Sequence, residues 1–386
     1  MPFCLLNSVI FSILRGLVDI NSAIKINVLS QVINLILDPI LMINYGSPVI
    51  YSHKVHLAAI SDVNSGPAIG YGDDPYTEKL REQMNALFKR EVTTLLAYGG
   101  TGANVVGLQA MLKPWEAVIC TKSSHINIDE CAAPEKFLSA KLIDLDSADA
   151  KIKPEMLQKE IEVLGIVHHA QPGAISLTQS TEYGTLYSVD ELRELIDICK
   201  RSGLRVHMDG ARIANATAAL GLSVAEFTSD LGVDILSFGG TKNGMAYGEA
   251  IVVFDEELST AAEYIQKQSA QLPSKMRYIS AQFSAMLEND LWLKHASHAN
   301  MMAAQLADGL KHIGGVEITQ STEVNAVFLK LPARSRKLLQ DWSYFYDWEQ
   351  ENEVRLMTSF ETTAEDVERM LEGIRWAMER RATNGS

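Results

Sequence analysis

The sequence predicts an α/β protein: a mixed, mostly parallel sheet covered by helices on both faces, followed by a smaller α+β C-terminal domain. Three observations predict it. Short apolar runs alternate with helix-spaced segments through the middle of the chain, the pattern of a largely parallel sheet with crossover helices. Three of these runs end in polar or glycine-rich turns, and ligands in such sheets gather at the carboxyl ends of the strands. Around Leu287–Trp292 the composition then shifts to one long helical pattern followed by short strands.

The elements follow in order. A first helix falls near Val55–Asp62. Pro75–Phe88 carries Leu80, Met84 and Leu87 at helical spacing. Strands are expected at Thr94–Ala97, Ala117–Thr121, Ala174–Thr178, Arg205–Met208, Ile235–Phe238 and Ala250–Phe254. Helices are expected at Ala103–Leu112, Lys153–Glu162, Val189–Arg201 and Val224–Ser229. From Asn289 to Ile313 the spacing suits a connecting helix. Short strands follow at Val316–Thr319, Val324–Leu329 and around Val354–Thr358. The last helix opens on Thr362-Thr363-Ala364-Glu365, a capping-box pattern, and lines one face with Val367, Met370, Leu371, Ile374 and Met378. The expected domains are a hydrophobic N-terminal extension (1–51), a large domain (52–288) and a small C-terminal domain (289–386).

Composition narrows the function. With 386 residues the chain is long enough for two domains. A formal net charge of -14 argues against a nucleic-acid surface, which needs clustered Lys and Arg. The 4 cysteines, Cys4, Cys120, Cys131 and Cys199, form neither a zinc-type CxxC pattern nor a disulfide framework, which points to a reducing cytoplasm. His168 and His169 are adjacent and point in different directions on either element, so no metal site is expected.

The chemistry centres on two strand ends. Val206-His207-Met208-Asp209-Gly210-Ala211-Arg212 presents an aspartate, and Phe238-Gly239-Gly240-Thr241-Lys242-Asn243-Gly244 presents a lysine. Pyridoxal 5'-phosphate (PLP) needs this ordered pair. The lysine amine bonds to the cofactor aldehyde, and the aspartate keeps the pyridine nitrogen protonated so that the ring accepts electrons. A third element is the turn Tyr98-Gly99-Gly100-Thr101-Gly102-Ala103-Asn104 between a strand and a helix. Its free backbone N–H groups and the helix dipole make an anion site for the cofactor phosphate. It lacks the Lys-Ser/Thr of a Walker loop and the glycine spacing of a dinucleotide fingerprint.

From about Ser52 to about Met378 the chain resembles the low-specificity L-threonine aldolases and phenylserine aldolases, PLP enzymes of the aspartate-aminotransferase fold (fold type I). The stretches that carry the resemblance are Ala68–Thr77, Gly99–Asn104, Ser124–Glu130, His207–Arg212, Gly239–Met245, Met276-Arg277 and Val354–Met357. It implies Lys242 as the lysine that holds the cofactor, Asp209 as the pyridinium partner, and His125 stacked on the cofactor ring. It implies Gly100, Thr101 and Gly102 at the phosphate, with Arg277 nearby, reaching in from a neighbouring subunit. Arg212 and Arg355 are expected to clamp the substrate carboxylate, because a guanidinium binds a carboxylate bidentately. The implied reaction is retro-aldol cleavage of a β-hydroxy-α-amino acid (L-threonine, L-allo-threonine or phenylserine) to glycine and an aldehyde, by a homodimer or homotetramer. A β-eliminating lyase or an aminotransferase would use the same lysine and aspartate.

Two departures stand out. Such enzymes usually begin with a short Ser-Asp or Asp-Asn segment that reaches the substrate carboxylate, and none stands before Ser52. Many also carry a histidine after the strand ending at Thr178, where this chain has Gln179-Ser180-Thr181-Glu182. Residues 1–51 are strongly apolar, with only Arg15, Asp19, Lys25 and Asp38 charged. Polar residues and Pro39 interrupt the run that comes nearest to a membrane helix, so no membrane association is expected despite it. A membrane-associated fusion with impaired catalysis is the contrary reading. Leu14–Asp19, Lys25–Val28 and Leu37–Pro39 resemble a fragment of a multidrug and toxin extrusion transporter.

Overall fold

The computed structural model describes residues 50–348 and 352–382. The chain falls into two units, residues 1–51 and 52–386, and the architecture below is that of the second. The transporter-like stretch lies outside the described residues.

Seven strands form the main sheet: β1 (Thr93–Ala97), β2 (Glu116–Thr121), β3 (Lys141–Leu145), β4 (Gln171–Thr178), β5 (Arg205–Gly210), β6 (Ile235–Gly239) and β7 (Glu249–Val253). Their order is β1-β7-β6-β5-β4-β2-β3. All run parallel except β7, which pairs antiparallel with both β1 and β6. The carboxyl ends of β1, β2, β4, β5 and β6 therefore open on one edge of the sheet.

Both faces of this sheet are covered, so its strands are apolar runs rather than alternating ones. Neighbouring side chains still divide between two cores, as the pleat requires. Ile119, Leu236 and Val252 join Leu80, Phe88, Leu192 and Phe283 on one side. Val118, Cys120, Ile235 and Val253 join Ala103, Val106, Leu108 and Leu258 on the other. The helix Val189–Ser202 shows how local sequence serves this packing. Ser188 and Glu191 form its capping box, Gly203 closes it in a left-handed conformation, and Leu192, Leu195, Ile196 and Cys199 are buried. Each buried leucine contributes about 2 kcal/mol.

A second, antiparallel sheet follows, in the order β10 (Tyr346–Asp347), β11 (Glu353–Met357), β9 (Ala326–Lys330), β8 (Glu317–Ile318). Its core joins Val327, Leu329, Val354 and Leu356 to Leu306 and Leu310 of the long helix Leu291–Leu310 and to Leu371 and Ile374 of the last helix. Asn289 and Asp290 take left-handed backbone angles, which separates the long helix from Arg277–Leu287.

Several local expectations need correction. The helix expected at Val224–Ser229 is one turn of 3-10 helix, Val224–Phe227. The last helix is capped by Thr363 rather than Thr362: the Asp366 N–H donates to Thr363 Oγ1 at 3.1 Å, and the Thr363 N–H donates to Asp366 Oδ2 at 2.9 Å. The connecting helix is shorter at both ends than the expected Asn289–Ile313. Among the described residues, no helix is long and apolar enough to cross a membrane.

Candidate active site

The turn after β1 opens the helix Gly100–Met111, with Gly99 as a cap that offers no side chain. The Gly99 carbonyl accepts from the Ala103 N–H at 3.1 Å. The N–H groups of Gly100, Thr101 and Gly102 belong to the first turn, where a helix offers them no acceptor. A Cβ added at Gly99 or Gly100 would meet nothing within 4 Å, whereas one at Gly102 would collide with the Gln271 amide. Gln271 also accepts from the Tyr98 N–H at 3.2 Å, so its side chain lies across the turn.

β5 delivers Asp209, which is 4% exposed. Burial opposes its charge, but donors outweigh it. The Ala211 N–H donates to Oδ1 and Asn104 Nδ2 to Oδ2, both at 2.9 Å. With the positive charge of Lys242 nearby, these hold the carboxyl below its ordinary value. Two residues earlier on the strand, His207 is fully buried between the hydroxyls of Ser176 (2.9 Å) and Ser237 (3.1 Å). Burial lowers it to about 4, so it is neutral.

β6 delivers Lys242. The strand end runs so close to its neighbours that a Cβ at Gly239 would collide with the Ala211 backbone, and one at Gly240 would lie 2.6 Å from the Gly248 carbonyl oxygen. The turn is then clamped from below. Asn243 Nδ2 donates to the Trp292 carbonyl at 2.9 Å, and the His295 ring lies 3.0 Å from the Asn243 carbonyl. The Gly240 N–H donates to Glu249 Oε2 at 2.7 Å. Lys242 itself is solvent-accessible. The charge of Arg212, followed by burial, lowers its amine to about 8, against the pull of Asp209 and Glu249. A neutral, nucleophilic fraction of the amine is therefore present near neutral pH. Capture of PLP by the cofactor-free protein should rise with pH around a midpoint near 8, and Arg212→Gln should move that midpoint upward by removing the repelling charge. Stopped-flow absorbance at a series of pH values checks both; an unmoved midpoint would separate Arg212 from the lysine.

β2 and β4 bring two more groups. His125 Nδ1 lies 2.8 Å from Glu130 Oε1, which also accepts from Asn104 Nδ2 at 2.9 Å. One buried carboxylate thus links His125 to the amide that holds Asp209. This hydrogen bond, against burial, raises His125 above its ordinary value. Glu182 Oε1 accepts from the His125 N–H and from Thr178 Oγ1, both at 2.9 Å. Glu182, Arg212 and Arg355 line one small cavity with Ser180 and Thr181. Burial, then the charge of Arg355, lowers Arg212 to about 10. Among the described residues Arg212 makes no ion pair. Two neighbouring guanidinium groups in a cavity suit an anionic ligand.

The structure thus brings together Gly100–Gly102, His125, Asp209, Arg212, Lys242 and Arg355 at one edge. Arg355 lies on β11 with its guanidinium 4.0 Å from the centre of the Trp348 ring, an aromatic support that the apolar neighbours of Arg355 did not reveal. Arg277 is the exception. Its Nε donates to the Val63 carbonyl at 3.0 Å and it stacks on Tyr278, contacts that involve no residue of the glycine-rich turn. Nothing in the sequence marks Asn104, Glu130, Glu249 or Gln271 for a role. Asn104 and Glu130 stand inside stretches already singled out, but only their shared hydrogen bond shows their purpose.

The residues fit PLP. First-turn N–H groups with open space at Gly99 and Gly100 suit its phosphate, a buried, donor-supported carboxylate suits its pyridinium nitrogen, and an accessible, acidified lysine suits its aldehyde.

Comparison with known proteins agrees. A family model described as beta-eliminating lyase matches residues 55–333. The low-specificity L-threonine aldolase of Pseudomonas aeruginosa is 39% identical over 324 residues, covering 83% of this chain and 93% of that protein. That of a Pseudomonas species is 38% identical with the same coverage. The structure of Leishmania major threonine aldolase superposes with a TM-score of 0.80 at 27% identity, covering 85% of this chain and 96% of that one. The family match begins at residue 55 and so lends no support to the transporter resemblance of residues 1–51.

Proposed function

The chain belongs to the beta-eliminating lyase family and, within it, to the low-specificity L-threonine aldolases, and from that premise we infer that it is a PLP-dependent carbon–carbon lyase of fold type I. It cleaves L-threonine, L-allo-threonine or a related β-hydroxy-α-amino acid to glycine and an aldehyde. The observation that carries this reading is the adjacency, at one sheet edge, of Asp209, Lys242 and the Arg212–Arg355 pair.

When bound, the cofactor supplies the electron sink for the bond that breaks. The residues of this chain do the rest. The first-turn N–H groups of Gly100, Thr101 and Gly102 hold the phosphate, and Asp209 holds a proton at the pyridine nitrogen. Lys242 would hold the cofactor through its aldehyde, its amine acting as the nucleophile. Arg212 and Arg355 take the substrate carboxylate, which sets the Cα–Cβ bond for cleavage. His125, held by Glu130, would face the bound cofactor ring. We further propose a homodimer or homotetramer in which Arg277 serves a neighbouring subunit's phosphate site, and a cytoplasmic location, in keeping with free Cys120, Cys131 and Cys199.

The test is product analysis on a panel of β-hydroxy amino acids. Glycine and aldehyde support the reading; pyruvate with ammonia, or a keto acid, would replace it with β-elimination or transamination. A second expectation concerns the clamp. Arg355→Lys should raise KM for L-threonine by about tenfold or more, since a point charge replaces a bidentate fork. Steady-state kinetics check it, and an unchanged KM would place the carboxylate elsewhere.

A further inference from the structure

We propose that Glu182 is the catalytic base of this enzyme: its Oε2 takes the proton from the substrate β-hydroxyl as the Cα–Cβ bond breaks. This rests on the aldolase reading and gives a role to the carboxylate standing after β4, where the sequence resemblance implied a histidine.

The geometry divides the two carboxylate oxygens. Oε1 is engaged, accepting from the His125 N–H and from Thr178 Oγ1. Oε2 is buried and has no hydrogen-bond partner among the described residues. A buried acceptor left unmatched is costly, and Glu182 lines the cavity that also contains Arg212 and Arg355, where the substrate carboxylate is expected. In this proposal the substrate hydroxyl reaches Oε2 from that cavity once the carboxylate is held by the two arginines. The titratable and charged groups around Glu182 include Cys120, His125, Tyr187, Asp209, Arg212 and Arg355. Burial raises its carboxyl to about 7, against the two donors, which matches a group that must both accept and return a proton near neutrality.

His125 is the other candidate, and its surroundings disfavour it. Its Nδ1 bonds to Glu130, whose side chain is 0% exposed. That hydrogen bond favours the protonated imidazole. A protonated imidazole cannot accept a proton.

The step balances. The O–H bond pair becomes the second bond of the aldehyde C=O, the Cα–Cβ pair passes to the electron sink, and the proton moves to Oε2. Glycine is completed by a proton from solvent delivered to Cα, and Glu182 returns its proton to solvent before the next turnover.

The experiment uses the full chain loaded with PLP and compares the parent with Glu182→Gln and Glu182→His. Gln keeps an oxygen for the His125 N–H and the Thr178 hydroxyl, so the site stays built. Glu182→Gln should lower kcat for glycine release from L-threonine by about 10²–10⁴-fold. It should leave α-proton exchange of glycine in D2O, followed by NMR, within about twofold, because glycine has no β-hydroxyl. Glu182→His should recover part of the cleavage. A third readout needs no cofactor. A carboxyl raised from 4.5 to about 7 on folding adds stability below pH 4.5 that is lost as pH rises through 7. The melting temperature of the cofactor-free parent, relative to Glu182→Gln, should therefore fall by on the order of a few degrees between pH 4.5 and 8. Unchanged cleavage in Glu182→Gln, an equal loss of exchange and cleavage, or a flat melting difference each overturns the proposal. A parent that exchanges glycine but cleaves no β-hydroxy amino acid sinks the aldolase reading as well.

Discussion

Lys242→Ala should abolish covalent attachment of PLP and lower turnover by at least about a thousandfold, roughly 4 kcal/mol of transition-state stabilisation. In the proposed function the amine would be needed both to hold the cofactor and to release the product. Borohydride treatment followed by intact mass should add the cofactor to the parent and leave the variant unchanged. The fold should survive. The side chain of Lys242 makes no hydrogen bond or ion pair among the described residues, and the turn is held by Asn243, Trp292 and His295 instead. The cofactor-free variant should even melt slightly higher than the parent at pH 7. A lysine lowered to about 8 by Arg212 binds protons less readily in the folded than in the unfolded protein, so its charge works against folding below that pH. Functional residues commonly oppose stability in this way. Normal turnover in Lys242→Ala would mean that another amine holds the cofactor.

The fold was legible wherever burial imposed a pattern. β4, β5, β6 and β7 are apolar runs because both faces of the sheet are covered, and each was expected within a few residues of its bounds. β3 was not. Lys141-Leu142-Ile143-Asp144-Leu145 stands at the sheet edge with Lys141 and Asp144 exposed, so two polar residues interrupt its short apolar run. The helix Ile213–Leu220 was missed because Ile213–Thr217 is buried throughout, which erases the amphipathic period. In the site, Lys242, Asp209 and the glycine-rich turn were readable because each closes a strand. Glu130 and Asn104 were not, since nothing local marks a hydrogen bond between residues 26 apart. Glu182 marked a departure, a carboxylate where a histidine was expected, and only the division of its two oxygens gave that departure a meaning.

Asp209→Asn should cost about 10²–10³-fold in kcat while the chain stays folded, because a neutral partner no longer favours a protonated pyridine. The substitution disturbs more than one charge. The Asn oxygen can still accept from the Ala211 N–H, but its amide then faces Asn104 Nδ2, donor against donor. Relief requires Asn104 to turn its oxygen toward position 209, which removes the donor that Glu130 now receives from it. His125 would then be tied to a carboxylate with one hydrogen bond fewer. A separate observable isolates the charge itself. Asp209 raises the amine of Lys242, whereas Arg212 lowers it. The pH midpoint for PLP capture should therefore fall below about 8 in Asp209→Asn, opposite in direction to Arg212→Gln. Two variants that move one midpoint in opposite senses cannot be explained by general damage to the site. If both shift the same way, or neither shifts, the electrostatic account of Lys242 is wrong, whatever the loss in turnover.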